Sequence, residues 1–440
     1  FKWSDIESNV ESYIWSSIKE LFEEFKEYNS GINTEIIKDI ESKINVSVCP
    51  GLGVFKVGIN TFEFKSSLDL YALCVFLSVL SKVLEAYHNI GEYINMNIYL
   101  DVSHGINYTP ATALLAVQRV VEILKIRGYN VVLKLASSSP FKENVELEIT
   151  TTDLDITTRQ LPPPLEGEKL NDVSKLFSNP LLLLGKNVRF ELRGFQREKL
   201  GEIQSALEKC YSNPDLFKAM WYSLYYGFGL ALIHLIEEFK DVCSDIWSNL
   251  LKSVVEVYHE VLLRGLRLIS ANSVNGNIVI NTSRFLSDKI RYFYDLMKVI
   301  ASFERIYKGF KYSVIDSGVK LSDLRRLYDE FLSKISFPAI SHFYSVEESN
   351  ILRQACIDFK SGKSGWITMR EVKRDEPEKL NCQEIIEERR GEFLEKTLVR
   401  YKVKTGNLQF NNRNFIAHLG ILRENIELKL LQFSNFTRSL

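Results

Sequence analysis

The sequence predicts an α/β chain, with a Rossmann-like N-terminal domain followed by an all-α C-terminal part. Three observations carry this. Strand-like and helix-like periods alternate over the first third. A proline run, QLPPPLEG at Gln160–Gly167, then ends the alternation, because three consecutive prolines continue neither a helix nor a central strand. Beyond it, nearly every segment repeats with a helical period. A chain of 440 residues also exceeds one ordinary core. The expected division is a domain over 1–160, a Pro-rich linker over 161–172, and a helical domain over 173–440.

In chain order, Ser4–Lys26 has a helical pattern. INVSVC at Ile44–Cys49 alternates like a strand. Gly53–Lys65 reads as a hairpin turning at Gly58–Asn60. Ser67–His88 is a long apolar helix with Ser67 as its N-cap. MNIYLDV (Met96–Val102) is a strand. Thr109–Arg127 is a helix, with Pro110 in its first turn and Gly128 just past its end. NVVLKLA (Asn130–Ala136) and Val145–Asp155 are further strands. Strands separated by covering helices argue for a mainly parallel sheet. Past the prolines, helical spacing covers roughly 174–187, 197–211, 214–239, 243–270, 284–309, 321–335 and 346–361. Ser361–Asn381 is polar and reads as a loop, and helical patterns resume from Cys382.

The composition is that of a folded protein, 45% hydrophobic, 25% charged and 12% aromatic. A net charge of −1 excludes a protein that coats nucleic acid through a general positive excess, so any such contact is local. The six Cys and six His form no CxxC pair, HExxH or mixed cluster, so no protein-built metal site is expected and the cysteines read as reduced, mostly buried thiols. Leu70–Leu80 and Trp221–Ile236 are apolar but read as too short and too interrupted to span a bilayer. No signal peptide is visible, and a cytoplasmic location is expected.

Gly362-Lys363-Ser364 resembles the end of a phosphate loop, but the glycine required five residues earlier is Ile357. Gly51-Leu52-Gly53 lacks the third glycine of a dinucleotide fingerprint and reads as turn chemistry. DVSHGIN at Asp101–Asn107 follows a predicted strand and leads into a helix N-terminus. Ligands collect at that edge of an open parallel sheet, and free helix amides favour anions there. Asp101, Ser103, His104 and Asn107 supply polar groups, and Gly105 permits close approach of the backbone. A ligand loop and a plain polar turn both fit these residues. Ser137 and Ser138, at the end of the next strand, would lie on the same edge.

NNRNFIAHLG (Asn411–Gly420) holds an Arg and a His five apart. On a helix they project about 140° apart, whereas Asn414 and His418 share a face. One chain thus holds a sparse site, and two copies about a two-fold axis would give a pocket with two Arg and two His. Such a set suits RNA cleavage by the ribose 2′-OH, where His moves the proton and Arg stabilises charge on the phosphorane. Read alone, Arg413 and His418 are equally consistent with an ordinary surface pair.

Taken together, RNFIAH and DVSHGIN make the chain resemble the CARF–HEPN ancillary ribonucleases of type III CRISPR–Cas systems, of the Csx/Csm type. The first motif resembles the HEPN nuclease motif, the second the ligand loop of CARF domains. The resemblance implies a metal-independent single-strand endoribonuclease with no required cofactor, activated allosterically by cyclic oligoadenylate, foremost cyclic tetra-adenylate. It implies a homodimer or a multimer of dimers acting on single-stranded RNA, away from membranes. Arg413, His418 and Asn414 become catalytic; Asp101, Ser103, His104, Gly105 and Asn107 become ligand-binding, with Ser137 and Ser138 added by position. The chain is expected to begin after the first strand of such sheets, and the long helical part to carry an insertion around 335–400. A non-enzymatic CARF-type sensor or transcriptional regulator is the alternative, though no helix-turn-helix is visible. A dinucleotide-dependent enzyme is a further one, against which the missing glycine fingerprint argues.

Overall fold

The structure, a computed structural model, describes residues 2–28, 34–57, 60–87, 94–103, 108–138, 149–157, 161–164, 172–173, 175–177, 179–192, 214–237, 249–274, 277–336, 340–369, 378–401 and 426–431. In chain order the elements are α1 (Trp3–Tyr28), α2 (Thr34–Lys43), β1 (Gly53–Val57), β2 (Asn60–Lys65), α3 (Leu68–Tyr87), β3 (Asn95–Asp101), α4 (Tyr108–Arg127), β4 (Asn130–Ser138) and β5 (Ile149–Leu154). There follow α5 (Lys186–Leu192), α6 (Pro214–Tyr226), α7 (229–237), α8 (Leu250–Arg267), β6 (Ala271–Val274), β7 (Asn277–Asn281) and α9 (Ile290–Gly309). The chain continues with β8 (Val314–Ile315), β9 (Gly318–Lys320), α10 (Leu321–Leu327), α11 (Ile340–Lys360), β10 (Ile367–Thr368), α12 (Glu378–Lys396), β11 (Thr397–Tyr401) and β12 (Ile426–Leu430).

Two compact units result. The first comprises Phe1–Thr157, Lys175–Glu208 and Asn249–Leu296; the second comprises Thr158–Ser174, Lys209–Ser248 and Met297–Leu440. The units are therefore not consecutive in sequence, as a linear division at the prolines would have them. Long-range pairing is the reason. β7 joins β2 in parallel, Thr61 opposite Asn277 through Lys65 opposite Asn281, and α8 packs on α3.

In the first unit, β3 and β4 are parallel, with Asn95 opposite Asn130 through Asp101 opposite Ala136, and β5 pairs antiparallel with β4. A parallel pair needs a crossover, which α4 supplies. Ser67 caps α3 as expected, its Oγ accepting the Leu70 N–H at 3.1 Å. Gly128, at φ +109°, ends α4: Tyr129 N–H reaches Leu124 O and Gly128 N–H reaches Lys125 O, the paired bonds of a left-handed helix cap. The hairpin at 53–65 also forms, but in a separate four-stranded sheet, β1-β2-β7-β6. The expected strand at Ile44–Cys49 does not: this segment is irregular and finds no ladder partner, although Cys74 Sγ lies 3.9 Å from the Val48 carbonyl.

α3 corrects one expectation. It is 20 residues long, and among the described helices it is the one long and apolar enough to cross a membrane. Here it is the core helix of its unit. Leu73, Phe76, Leu77 and Leu80 are fully buried, and Phe76 meets the rings of Phe293 at 5.9 Å and Tyr294 at 5.1 Å.

The second unit is rich in helix but is not all-α. A five-stranded antiparallel sheet, β10-β12-β11-β9-β8, accompanies the helices. Its strands run two to five residues, too short to register against helical periodicity. The β8–β9 turn is Asp316-Ser317, both at positive φ (49° and 64°), the primed geometry normally announced by glycine. Across the sheet, Gly318 is required: a Cβ there would sit 2.3 Å from the Trp366 ring. The segment 335–400 is built into this unit, with Ile351, Cys356, Cys382 and Phe393 buried. Glu348 on α11 is buried and accepts Arg325 Nη1 at 3.3 Å and Arg390 Nη2 at 2.5 Å, joining α10, α11 and α12.

Cys356 and Cys382 form a disulfide, Cα–Cα 6.0 Å, between α11 and α12, which corrects the reading of all cysteines as thiols. No spacing motif marks the pair; the packing of two helices brings it together. Gly362, at φ +62°, with Lys363 N–H on Asp358 O and Gly362 N–H on Phe359 O, closes the C-terminus of α11 and is not a phosphate loop.

Replacing Phe76 with Ala is expected to lower the unfolding free energy by about 3–5 kcal/mol, read from the denaturant midpoint, because the cavity opens between two packed aromatic rings.

Candidate functional site

The site is built where β3 ends. The β3–β4 ladder runs to its last rung at Asp101–Ala136, and Val102 N–H adds one more bond to Ala136 O at 3.0 Å. Side chains then take over. Ser103 donates both its N–H (2.8 Å) and its hydroxyl (2.5 Å) to Asp101 Oδ1. Ser103 Oγ in turn accepts the Ser138 N–H at 2.8 Å. Ser137 contributes its carbonyl, which accepts the Thr150 hydroxyl at 3.3 Å. Asp101, Ser103, Ser137 and Ser138 therefore do share one edge. His104, Gly105 and Asn107, the remainder of the expected ligand loop, lie outside the described residues.

This geometry sorts the acidic residue from an anion-binding role. A bare carboxylate would repel an anion. Asp101 instead spends Oδ1 on the backbone and hydroxyl of Ser103, which makes it the organiser of the turn.

Sequence reasoning overlooked two participants. Tyr108 opens α4 directly after the 101–107 loop. Its hydroxyl both accepts the Leu52 N–H and donates to the Leu52 carbonyl. The Gly51-Leu52-Gly53 turn is thus seated at the N-terminus of α4. A Cβ on Gly51 would stand 3.4 Å from the Tyr108 hydroxyl, so the glycine keeps the approach close. Tyr71 of α3 meets Tyr108 edge-on, centroids 6.5 Å apart. The available signals were a tyrosine straight after a polar loop and a tight glycine turn with no partner in the sequence.

Arg413, Asn414 and His418 lie outside the described residues. Their attachment is described. Residues 402–425 connect β11 to β12, and these strands pair antiparallel with Tyr401 opposite Ile426, so both ends of the connection start from one rung. On the next rung, Arg400 makes a two-point ion pair with Glu427 at 2.9 and 3.0 Å and lies 3.9 Å over the Trp366 ring. His234 of α7 lies beside Tyr401, ring centroids 5.5 Å apart. Burial holds the His234 imidazole below its usual range and pushes the Tyr401 phenol above its own, so both are neutral near pH 7. Among the described residues, no group of three or more His, Cys, Asp or Glu is placed to hold a metal ion.

A βαβ crossover with a polar loop at the carboxyl ends of its strands defines a ligand-sensing domain of Rossmann type. The family model for the CARF domain of CRISPR system endoribonuclease Csx1 matches residues 2–140, and this region is a Csx1-type CARF domain. The chain is also 31% identical over 156 residues to CRISPR system endoribonuclease Csx1 of Methanocaldococcus jannaschii, a match covering 34% of this chain and 29% of that relative.

Ser103→Ala removes the acceptor of the Ser138 amide. Exchange of that amide is expected to quicken roughly two- to tenfold, for the ordinary net value of one hydrogen bond, while Ser103→Thr retains protection. Unchanged exchange in the alanine variant would show that the two strand ends are not tied by this side chain.

Proposed function

We propose that the protein is a ligand-activated endoribonuclease of type III CRISPR defence, cutting single-stranded RNA when its CARF domain binds cyclic oligoadenylate. The observation that carries the reading is the Csx1-type CARF match coinciding with an organised carboxyl edge, where Asp101, Ser103 and Ser138 are joined in one hydrogen-bonded turn. The similarity to a relative named an endoribonuclease supports the reaction class. Cyclic tetra-adenylate is the activator we expect, held at the 101–107 loop and Ser137–Ser138. The protein acts in the cytoplasm, with no membrane partner.

In the reaction, neutral His418 takes the proton of a ribose 2′-OH. The 2′-oxygen attacks the adjacent phosphorus, and the 5′-oxygen leaves with a proton. A 2′,3′-cyclic phosphate and a 5′-hydroxyl result. Arg413 stabilises the charge on the phosphorane oxygens, and Asn414 orients the pair. The nucleophile belongs to the substrate, so no cofactor is required. A homodimer supplies the second His418, so one copy serves as base and the other as acid. Activation requires the ligand to bind the active arrangement more tightly than the inactive one.

RNA cleavage should appear with cyclic tetra-adenylate, persist in EDTA, and fall by at least about 100-fold in His418→Ala and Arg413→Ala, as for loss of a general base or an oxyanion donor. Normal cleavage by His418→Ala would sink the mechanism. No cleavage with any cyclic oligoadenylate, alongside ligand binding, would favour the non-enzymatic sensor.

A further inference from the structure

Two thiols that the ligand edge does not use meet beside it. Cys49 ends the irregular segment before the Gly51–Gly53 turn and is partly exposed, while Cys74 sits on α3 and is fully buried. Cys74 Sγ is 3.9 Å from the carbonyl of Val48, the neighbour of Cys49, and the Cys49 thiol is hydrogen-bonded to that of Cys74. That hydrogen bond, then burial, then the charge of Cys74 push the Cys49 thiol well above its ordinary range, so the pair rests as a dithiol. Tyr71, three residues before Cys74 on the same helix, feels both thiols and Tyr108, and burial pushes its phenol up. The cluster is contiguous: the thiol pair adjoins the Leu52 turn, the turn is bonded to Tyr108, and Tyr108 opens the helix that follows the ligand loop.

We propose that Cys49 and Cys74 are a reversible dithiol–disulfide pair that regulates the ligand edge, their cross-link fixing the Leu52 turn against Tyr108. The regulatory half rests on the ligand-sensing role proposed above; the cross-link does not. Exposure sets the order of events. Cys49, as thiolate, attacks one sulfur of a low-molecular-weight disulfide RSSR; the S–S bond breaks and one RS⁻ leaves, taking up a proton. Cys74, as thiolate, then attacks Cys49 Sγ in the mixed disulfide and displaces the second RS⁻, which is also protonated. Two protein thiols are oxidised and RSSR is reduced to two RSH. Cross-linking removes conformational freedom from the segment that leads into the turn, so less order has to be imposed when an anionic ligand docks.

The test uses the full chain treated with oxidised glutathione or with dithiothreitol. Mass spectrometry of a non-reducing digest should find the Cys49 peptide joined to the Cys74 peptide, less two hydrogens. Calorimetric titration with cyclic tetra-adenylate should give binding about three- to tenfold tighter in the oxidised protein, the scale of a modest preorganisation gain. Cys49→Ser should show neither the cross-link nor the redox response, yet bind as the reduced wild type does, which separates this pair from reduction of Cys356–Cys382. A glutathione adduct on Cys49 that never resolves onto Cys74 overturns the inference, as does a cross-link that leaves affinity unchanged. Cross-linking without cyclic tetra-adenylate binding in either state overturns the ligand reading and the regulatory half with it. Normal ligand binding without a cross-link overturns this inference alone.

Discussion

The parallel pairing of β3 with β4 is the constraint on which the sensing domain depends. Parallel strands cannot be joined by a tight turn, so the chain must cross back through a helix. The first residues after β3 are therefore held at the carboxyl edge, beside the N-terminus of the helix that makes the crossing. With Asp101 opposite Ala136, the register brings Ser103 and Ser138 into hydrogen-bonding reach. A slip of one residue would reverse the faces of the strand and remove both the buried Val131 and Leu133 contacts and this junction.

The junction divides labour between kinds of residue. Asp101 and Ser103 hold the shape of the edge, each satisfying groups that strand ends leave open. Tyr108 and the Leu52 turn hold its flank. The ligand-facing work then falls to loop amides and to side chains not already committed. An acidic residue beside an anionic ligand is in this way reconciled with electrostatics.

The proposed catalytic motif is carried by a different device. Its connection departs from and returns to one rung of an antiparallel pair, which the Arg400–Glu427 ion pair and the Trp366 ring brace from the side. Strand rungs are rigid where long loops are not, so a short ladder defines where the motif begins and ends. The parts of the second unit are themselves joined by Glu348 between two arginines and by the Cys356–Cys382 bond.

Local chemistry was legible in the sequence alone. The Ser67 cap, the Gly128 helix end, the β3–α4–β4 crossover and the shared edge of Asp101, Ser103, Ser137 and Ser138 follow from period, capping and turn rules that act over a few residues. What the sequence did not disclose lies in contacts between distant segments. Nothing local marks Leu52 as the partner of Tyr108, β7 as the neighbour of β2, Cys356 as the mate of Cys382, or Asp316-Ser317 as a primed turn without glycine. Hydrophobic period identifies which face of an element is buried but not what buries it. That choice is made by the packing of the whole unit, and so the domain boundary, the second sheet and the disulfide were decided only by the tertiary structure.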